Sequence, residues 1–406
     1  MSCVPPALEV HLMDEWRVIS LGDLISLEYG ASLPEEARTG SGFPVFGSNG
    51  VVGHHIEALV PGPGIIVGRK GSVGALQWSD CDFWPIDTAY WVRPIADIDL
   101  RWMHEALRLA ELRSLDSSTG VPGLNRDDAY IRALHVPPLE EQRQIAEILD
   151  SADDAVRSSE RVLAKQRDMR AGFSAASLRV ESDNAGHDFV EEPMLSSNND
   201  EYVCLRLSDA AASVVDGPFG SALRTEHYVP CGGTRVVRLA NIGKGHYVDN
   251  DEAFIDSQYA ATLSRHEIRS PDVVVASLGD ERNPSGRACL YPKRFRPGIV
   301  KADCFRIRPS GLIDARYLVE VLNSEQSMEQ VRRLAQGVTR DRINLGEYRR
   351  IKLQVPPMSE QQRYVERIES FDAAIHSLES ALNKLRRLRA GLAEDLLSGR
   401  VRTVTA

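Results

Sequence analysis

A seven-residue segment occurs twice in this chain, each time at the start of a long helix-forming stretch. Val136-Pro137-Pro138-Leu139-Glu140-Glu141-Gln142 returns 219 positions later as Val355-Pro356-Pro357-Met358-Ser359-Glu360-Gln361. The similarity continues without a gap to Gly172 in the first copy and Gly391 in the second. A repeat of this length has the scale of a whole domain, so the sequence predicts two folded units, each with its own core.

The repeat reaches the ends of each unit but not its middle. Leu21-Gly22-Asp23 resembles Leu207-Ser208-Asp209, and the segment from Ile98 to Trp102 resembles that from Ile313 to Tyr317. Between these landmarks the halves diverge.

Each half contains short β-prone runs bounded by glycine and proline and then a helical period. The predicted strands lie at 50–53, 64–68 and 90–92 in the first half and at 235–239 and 272–276 in the second, with helices at 98–113 and 313–335. This order predicts an α+β fold for each unit.

Both stretches that follow the proline pairs carry five heptads of apolar residues. We predict that the first places Ile145, Ala152, Ser159, Gln166 and Phe173 on one row, with Ile148, Ala155, Val162 and Met169 beside it. The second has Tyr364, Phe371, Leu378, Leu385 and Leu392 beside Ile368, Ile375 and Leu382. Such stripes favour a partner helix, and the other copy is the nearest candidate. About 35 residues at 1.5 Å each form a rod of about 50 Å. The alternative is that each helix packs on its own unit.

The proline pairs suit a rigid entry into a helix. Proline fixes φ and biases the preceding residue towards extended geometry, and acidic residues complement the positive end of the helix. We expect the glutamines to help fix the junction. The predicted junction or partner-binding residues are Pro137, Pro138, Glu141, Gln142, Pro356, Pro357, Glu360 and Gln361.

Charge is distributed unevenly along the 406 residues, whose net charge is −10. Residues 1–135 carry 10 basic and 18 acidic side chains, whereas residues 201–354 are net basic, with 23 against 19. Proteins that grip a DNA duplex unaided usually present a basic face. The chain therefore either does not bind DNA or binds it with local basic clusters while partners supply the rest. Residues 181–200 contain six acidic and no basic residues, which predicts a linker.

Several classes of function are excluded by missing patterns. No secretory signal and no apolar run long enough for a membrane are present, which predicts a cytoplasmic protein. The six cysteines (Cys3, Cys81, Cys204, Cys231, Cys289 and Cys304) have no metal-ligand spacing and are expected to be buried thiols. His54-His55 is interpreted as a turn or surface feature. No catalytic or metal site is predicted, because the glycine-rich segment 64–72 lacks phosphate-loop spacing and Pro271-Asp272 with Asp280 lacks a nuclease lysine.

Glycine-rich loops with polar and basic side chains remain. Glycine permits close backbone approach, and Arg, Lys, Asn and Ser donate hydrogen bonds to bases and phosphates. In isolation such loops are usually solvated turns. The repeated helix starts and the loop segments 43–50, 68–74 and 216–221, however, give these loops a context. In these features the chain resembles the specificity (S) subunits of Type I restriction-modification systems over nearly its whole length.

The resemblance implies an architecture and a division of labour. Two target-recognition domains, each reading one half of a split site in double-stranded DNA, would be separated by two long helices in an antiparallel coiled coil, with a pseudo-two-fold internal repeat. The helices would dock methyltransferase (M) and restriction (R) subunits, which would hold S-adenosylmethionine, ATP and Mg, while this chain holds no cofactor and is not catalytic. The implied domains are 1–135 and 201–354, with helical spacers at 136–180 and 355–399 around the linker 181–200. The DNA contacts expected on this basis are Asn49, Arg69, Lys70, Ser72, Ser221, Arg235, Arg238, Asn241, Arg282, Asn283 and Arg287.

Two other readings compete with this one. The chain is alternatively the specificity subunit of a related defence or modification-only system, or a coiled-coil scaffold that binds proteins alone. The acidic first domain requires any DNA contact there to be a small positive patch. The alternative to DNA contact is a structural role, in which Asn49 belongs to a turn and Arg282 or Arg287 pairs with Asp280 or Glu281.

Overall fold

A computed structural model describes residues 16–115, 123–178, 202–218, 222–337 and 341–403. The chain divides into two compact units, one formed by residues 1–161 with 379–406 and the other by residues 162–378. Each unit thus contains a globular domain and part of both long helices. The predicted linker at 181–200 lies outside the described residues.

The first unit is an α+β structure. Its strands are β1 (Arg17–Ser20), β2 (Ile25–Tyr29), β3 (Phe43–Gly47), β4 (Gly50–His55), β5 (Gly64–Gly68), β6 (Leu76–Ser79), β7 (Trp84–Pro85), β8 (Ala89–Pro94) and β9 (Ala133–Val136). Its helices are α1 (Leu21–Leu24), α2 (Leu100–Leu109), α3 (Arg126–Tyr130) and the first part of α4 (Leu139–Ser177), with short 3-10 turns at Glu35–Ala37 and Leu112–Leu115. The sheets have the strand orders β2-β8-β5-β6, β4-β3-β7 and β1-β9. We call residues 16–136 the first domain.

Strand β5 lies at the centre of this domain and is buried along its whole length. Because side chains alternate across a strand, Ile65 and Val67 face the main core, where they join Trp102 and Leu107 of α2. Ile66 faces the opposite side and packs in a smaller cluster with Phe46 and Phe83. The continuous apolar run of β5 therefore reflects burial on both faces.

The second unit has more strands. They are β10 (Val203–Arg206), β11 (Ala211–Asp216), β12 (Tyr228–Val229), β13 (Thr234–Val237), β14 (Phe254–Ile255), β15 (Glu267–Ile268), β16 (Val273–Ala276), β17 (Ala288–Leu290), β18 (Gly298–Val300), β19 (Cys304–Pro309) and β20 (Lys352–Val355). The helices are α5 (Leu207–Ala210), α6 (Ser257–Thr262), α7 (Ala315–Leu322), α8 (Glu325–Leu334), α9 (Leu345–Arg349) and the first part of α10 (Met358–Leu397), with 3-10 turns at Thr225–His227, Leu239–Asn241 and Ser264–His266. The sheets have the orders β11-β19-β16-β17, β12-β14-β13-β18-β15 and β10-β20. We call residues 202–355 the second domain.

The two domains share a frame and differ in what they add to it. The four-stranded sheets follow the same order, and in each domain a two-stranded pair, β1-β9 or β10-β20, joins the first strand to the last. The second sheets differ, with three strands in the first domain and five in the second. The predicted α+β class and internal repeat are confirmed. The helix predicted at 313–335 is divided, because the backbone leaves the helix at Asn323 and Ser324 then caps α8.

The long helices pair in antiparallel fashion within each unit. In the first unit Asp153 of α4 pairs with Arg389 of α10 at 2.8 Å. In the second unit Arg170, further along α4, pairs with Asp372, which lies earlier on α10, at 2.7 Å. Since later residues of one helix meet earlier residues of the other, the predicted antiparallel coiled coil is confirmed.

One of the predicted apolar rows is wrong. Ile148, Val162 and Met169 of α4 are exposed, by 38%, 45% and 45%, and Ala155 is exposed as well. The seam contains the predicted row from Ile145 to Phe173. Its second row is shifted by one residue from the row predicted and consists of Leu149, Val156, Leu163 and Arg170. In α10 both predicted rows are buried or half-buried.

The cysteine prediction is partly wrong. Cys289 and Cys304 are buried, but Cys81, Cys204 and Cys231 are exposed, and all five are free thiols. Cys3 lies outside the described residues. None of the described helices has the length and apolar character needed to cross a membrane.

Candidate nucleic-acid interface and helix junctions

The two repeated glutamines lie where each long helix meets its domain. Gln142 is 2% exposed; its Oε1 accepts a hydrogen bond from the backbone N–H of Asp99 at 2.9 Å, and its Nε2 donates to the Pro137 carbonyl at 2.9 Å. Asp99 in turn caps α2 by accepting from the Trp102 N–H. A single amide therefore connects the entry of α4 to the start of α2.

Gln361 repeats this arrangement in the second unit. It is fully buried, accepts from the Asp314 N–H at 2.7 Å and donates to the carbonyls of Pro356 and Leu312 at 2.8 and 3.0 Å. Asp314 caps α7, as Asp99 caps α2. Both functions of the glutamine amide are used, so neither glutamate nor an apolar residue replaces it without leaving buried groups unpaired.

The other predicted junction residues are less alike. Pro137 and Pro356 are buried, Pro138 is half-buried, and Pro357 is exposed. Glu141 accepts two hydrogen bonds from Arg402, each at 2.7 Å, and one from the indole of Trp16 at 2.9 Å. Glu360 instead pairs with Arg363 on its own helix. Glu141 thus holds the segment that follows α10, whereas Glu360 is paired within α10 itself.

Two arginines that stand 219 positions apart, at equivalent places in the repeat, connect the helices to the domains. Arg389 binds both Asp153 of α4 and Glu105 of α2, at 2.8 and 2.7 Å. At the equivalent place in the second unit, Arg170 binds Asp372 of α10 and Glu320 of α7, at 2.7 and 2.9 Å. The repetition of both residue and contact is the signal that identifies these pairs as part of the frame.

In the first domain the predicted DNA contacts lie on neighbouring turns. Asn49 is exposed in the turn between β3 and β4, and Arg69, Lys70 and Ser72 follow β5. The turns touch at Gly68, where a Cβ would lie 2.7 Å from the Ser48 carbonyl oxygen, so only glycine permits this approach. Arg69 and Lys70 also border a cavity of about 520 Å³ together with Tyr29, Tyr90 and Arg126.

Tyr29 and Arg126 were not predicted from the sequence. Arg126 follows Asn125, which caps α3 as Asn344 caps α9 at the same 219-residue spacing. The repeated asparagine marks the start of α3 in the sequence. It does not identify Arg126 as a site residue, since Leu345 stands at the equivalent position of the second unit.

In the second domain the predicted set separates into inner and outer residues. Asn241 is fully buried and donates to the carbonyls of Val248 and Asp251 at 3.0 and 2.9 Å. Arg287 is 7% exposed, and its guanidinium donates to five backbone carbonyls, those of Leu239, Ile242, Leu278, Asn283 and Pro284. Their own domain encloses both side chains, which corrects the prediction that they face DNA.

The remaining arginines differ in their compensation by carboxylates. Arg235 pairs with Asp249 and Glu252 at 3.1 and 2.8 Å and has an 11% exposed side chain. Arg238 pairs with Asp251. Arg282 and Asn283 are exposed on a turn whose N–H groups bind Asp280, which holds the backbone rather than the arginine side chain. Ser221 lies outside the described residues.

Asp272, at which no catalytic site was predicted, has a structural role. It is 1% exposed and accepts from Arg308 through both oxygens at 2.8 Å. Within the described ranges, no group of three or more His, Cys, Asp or Glu side chains is arranged to hold a metal ion. His54 and His55 lie in β4, with the His55 ring 5.6 Å from that of Trp84.

The fold defines a duplicated α+β protein, in which each of two unlike domains is fastened by an equivalent junction to its own part of α4 and α10. The family model for the Type I restriction modification DNA specificity domain matches residues 13–165 and 248–387. The chain belongs to this family of Type I restriction-modification specificity subunits.

Similar proteins agree with this assignment. The specificity subunit of the MjaVIII Type I restriction enzyme of Methanocaldococcus jannaschii is 22% identical over 322 residues, which cover 75% of this chain and 71% of that protein. The EcoBI specificity subunit of Escherichia coli is 22% identical over 343 residues, covering 79% and 69%. Among solved structures, the S subunit of a Type I restriction-modification system from M. genitalium has a TM-score of 0.58 at 15% identity, covering 96% of this chain and 98% of that one. A chain from a type I R-M system solved for its complex assembly and conformational transition has a TM-score of 0.59 at 16% identity, covering 95% and 98%.

Proposed function

We propose that this specificity subunit recognises a bipartite target in double-stranded DNA, one half with each domain. The observation that carries the proposal is the contrast between a shared frame and unlike second sheets, three-stranded in one domain and five-stranded in the other. A common frame gives both domains the same attachment, while different inserts present different loops. Such an arrangement suits two readers of different sequences.

The proposed DNA contacts are the exposed and half-buried residues of the turns. In the first domain these are Asn49 and Lys70, which are exposed, with Arg69 and Ser72, which are half-buried; in the second they are the exposed Arg282 and Asn283. Arginine and asparagine donate in the geometries that suit guanine and adenine edges, and lysine suits phosphates. Arg235 and Arg238 contribute only if DNA displaces the carboxylates that now bind them.

We further propose that M and R subunits dock on the helical region and supply the chemistry. The methyltransferase would bring S-adenosylmethionine, and the restriction subunit ATP and Mg, so that this chain itself would be non-catalytic and act in the cytoplasm. Partners that share the phosphate contacts would also account for the acidity of residues 1–135, which carry 10 basic against 18 acidic side chains.

A footprint of the assembled complex tests this function. The full chain, produced with its methyltransferase partner, is expected to protect two short sequences separated by an unprotected spacer, and methylation is expected at adenines within them. A single protected sequence, or none, would contradict the proposal. A chain that assembles with proteins but gives no sequence-dependent footprint would support the scaffold reading. Target methylation without any restriction subunit in the source cells would identify a modification-only system.

A further inference from the structure

The cavity beside Arg69 is built from four separate segments of the first domain. Tyr29 ends β2, Arg69 and Lys70 follow β5, Tyr90 lies in β8, and residues 123–127 form the remaining wall. Backbone hydrogen bonds tie these segments together. The Leu124 N–H donates to the Arg69 carbonyl at 2.9 Å, and Lys70 forms a β-bridge with Gly123. The cavity is therefore part of the folded frame.

The ring of Tyr29 lies close to two guanidinium groups. The Cζ atoms of Arg69 and Arg126 are 4.8 and 4.5 Å from its centroid. Each arginine also donates one Nη1 hydrogen bond to a backbone carbonyl, Arg69 to Asp87 at 2.9 Å and Arg126 to Leu27 at 3.2 Å. Cation–π contact and these bonds hold both side chains in place before any ligand arrives, which lowers the entropy lost on binding.

The cations of the cavity form no direct ion pair with the described carboxylates, although the charge of Glu28 acts on Arg126 from beyond ion-pair distance. Within the described parts of the chain, no carboxylate lies within 4.0 Å of the charged groups of Arg69, Lys70 or Arg126, although Asp127 also borders the cavity. Arg235 of the second domain is bound by two carboxylates. Two guanidinium groups held in place and the exposed ammonium of Lys70, none of them in a direct ion pair with a described carboxylate, form a local anion site in an otherwise acidic domain.

We propose that this cavity binds a backbone phosphate of the DNA at the first half of the target, with Tyr29 and Arg126 completing a site begun by Arg69 and Lys70. The inference rests on the proposed function and deepens it. A concave site suits a phosphate, which projects from the duplex, whereas base edges lie inside a groove and are reached by projecting loops. The cavity thus anchors the domain, and the neighbouring turn with Asn49 is left to read bases.

Salt-dependent DNA binding tests the assignment. The full chain with its methyltransferase partner is titrated with a duplex that contains the mapped target and with one that lacks it, over a series of salt concentrations. Arg126→Ala and Lys70→Ala are each expected to weaken binding to both duplexes by a similar factor, on the order of threefold to tenfold. Each is expected to lower the slope of log affinity against log salt by about 1.

Three further variants separate charge from fold. Arg126→Lys keeps the charge and is expected to retain the slope. Tyr29→Leu removes the ring but no cation, so it is expected to weaken binding while leaving the slope nearly unchanged. Arg101→Ala is the matched control, because it removes one arginine of the same domain that does not line the cavity and that Asp80 binds at 3.0 Å, and its slope should equal that of the wild-type chain.

Two outcomes would overturn the phosphate site. An unchanged slope in Arg126→Ala would show that the cavity does not contact the backbone. A loss confined to the target duplex, or a change in the sequence that is methylated, would identify a base contact instead. If the wild-type complex prefers no bipartite sequence, the proposed function fails, but an equal loss of slope on any duplex would still support the phosphate site.

Discussion

At the scale of single residues, the repeated glutamines explain why the helix starts are so similar in sequence. Each amide occupies a buried position where one acceptor and one donor are needed within a few ångströms. Glutamine supplies both on a side chain long enough to reach from the helix to the domain. The preceding prolines fix the chain direction, so the amide meets the same partners in both units.

Gln361→Ala should therefore destabilise the second unit. The change leaves the Asp314 N–H and the carbonyls of Leu312 and Pro356 without the partner they have now, which costs about 1–3 kcal/mol of unfolding free energy. Urea denaturation of the full chain measures this loss. Gln362→Ala is the control, since Gln362 is the exposed neighbour on the same helix turn. Equal midpoints for the two variants would contradict the role given to Gln361.

Arg282 and Arg287 show where residue-level prediction fails. Both lie in one polar, glycine-containing stretch, and nothing in its composition separates them. The structure places Arg282 on the surface, whereas the guanidinium of Arg287 lies among backbone carbonyls, including those of Leu239, Ile242 and Leu278. Those carbonyls come from up to 48 residues away, so the distinction depends on tertiary structure.

At the scale of elements, the register of α4 shows a similar limit. Two rows of residues lie next to the row of Ile145, one beginning at Ile148 and the other at Leu149. The row of Ile148 is apolar throughout, whereas Arg170 interrupts the row of Leu149. Arg170 is nevertheless accommodated in the seam, since Glu320 and Asp372 bind its guanidinium. The helices themselves were predictable from their heptads, whereas the row that faces the partner depended on this ion pair.

Adjacent substitutions on α4 distinguish the two registers. Leu149 is 1% exposed and Ile148 is 38% exposed. Leu149→Ala should cost about 2–5 kcal/mol of unfolding free energy, because it leaves a cavity in the core of the first unit. Ile148→Ala should cost less than about 1 kcal/mol. Thermal or urea unfolding of the two variants checks the order, and a larger effect at Ile148 would restore the register predicted from the sequence.

The ion pair between α10 and α2 should make the first unit sensitive to acid. Burial favours the neutral form of Glu105, but the hydrogen bond from His104 and the charges of Arg108 and Arg389 lower its pKa to about 2. A carboxylate with a lowered pKa in the folded state adds stability that is present above its ordinary pKa of 4.5 and is lost as the pH falls towards 2. At neutral pH this contribution is on the order of 3 kcal/mol.

Glu105→Gln removes this contribution and tests it. The variant should be less stable than the wild-type chain at neutral pH, and the difference should shrink between about pH 5 and about pH 3, as the wild-type carboxylate gains its proton. Urea midpoints across this range measure the difference. Glu140→Gln is a suitable control, because Glu140 is exposed and its ion pair is with the exposed Arg143 on the same helix, at 3.4 Å. A difference that stays constant with pH would show that Glu105 acts through packing instead.

At the scale of the whole molecule, each domain begins and ends at one strand pair. Val203 lies opposite Val355 in β10-β20, as Arg17 lies opposite Val136 in β1-β9. The repetition at the ends of both domains was predictable from the shared landmarks, although the strand pairs β1-β9 and β10-β20 lie outside the predicted strands. The unlike second sheets were not, because the halves share no sequence pattern there and their short strands, some of two residues, are defined by pairing with distant segments.

The strand pair makes the second domain an exchangeable cassette. Because residues 203 and 355 are neighbours, a related domain with the same terminal strands can be inserted without altering the path of α4 or α10. The chimaera must keep Gln361 and Arg170, together with the two carboxylates that bind Arg170, which are Glu320 and Asp372, since these residues hold the domain to the helices.

Exchange of residues 203–355 for the corresponding segment of another specificity subunit, with a glutamate at the position of Glu320, should replace one half of the target and leave the other half unchanged. Mapping methylated adenines in DNA modified by the complex measures both halves at once. A change in both halves, or in neither, would show that the domains do not read DNA independently. Loss of Glu320 in the graft should reduce stability while leaving the identity of the new half-site unaltered.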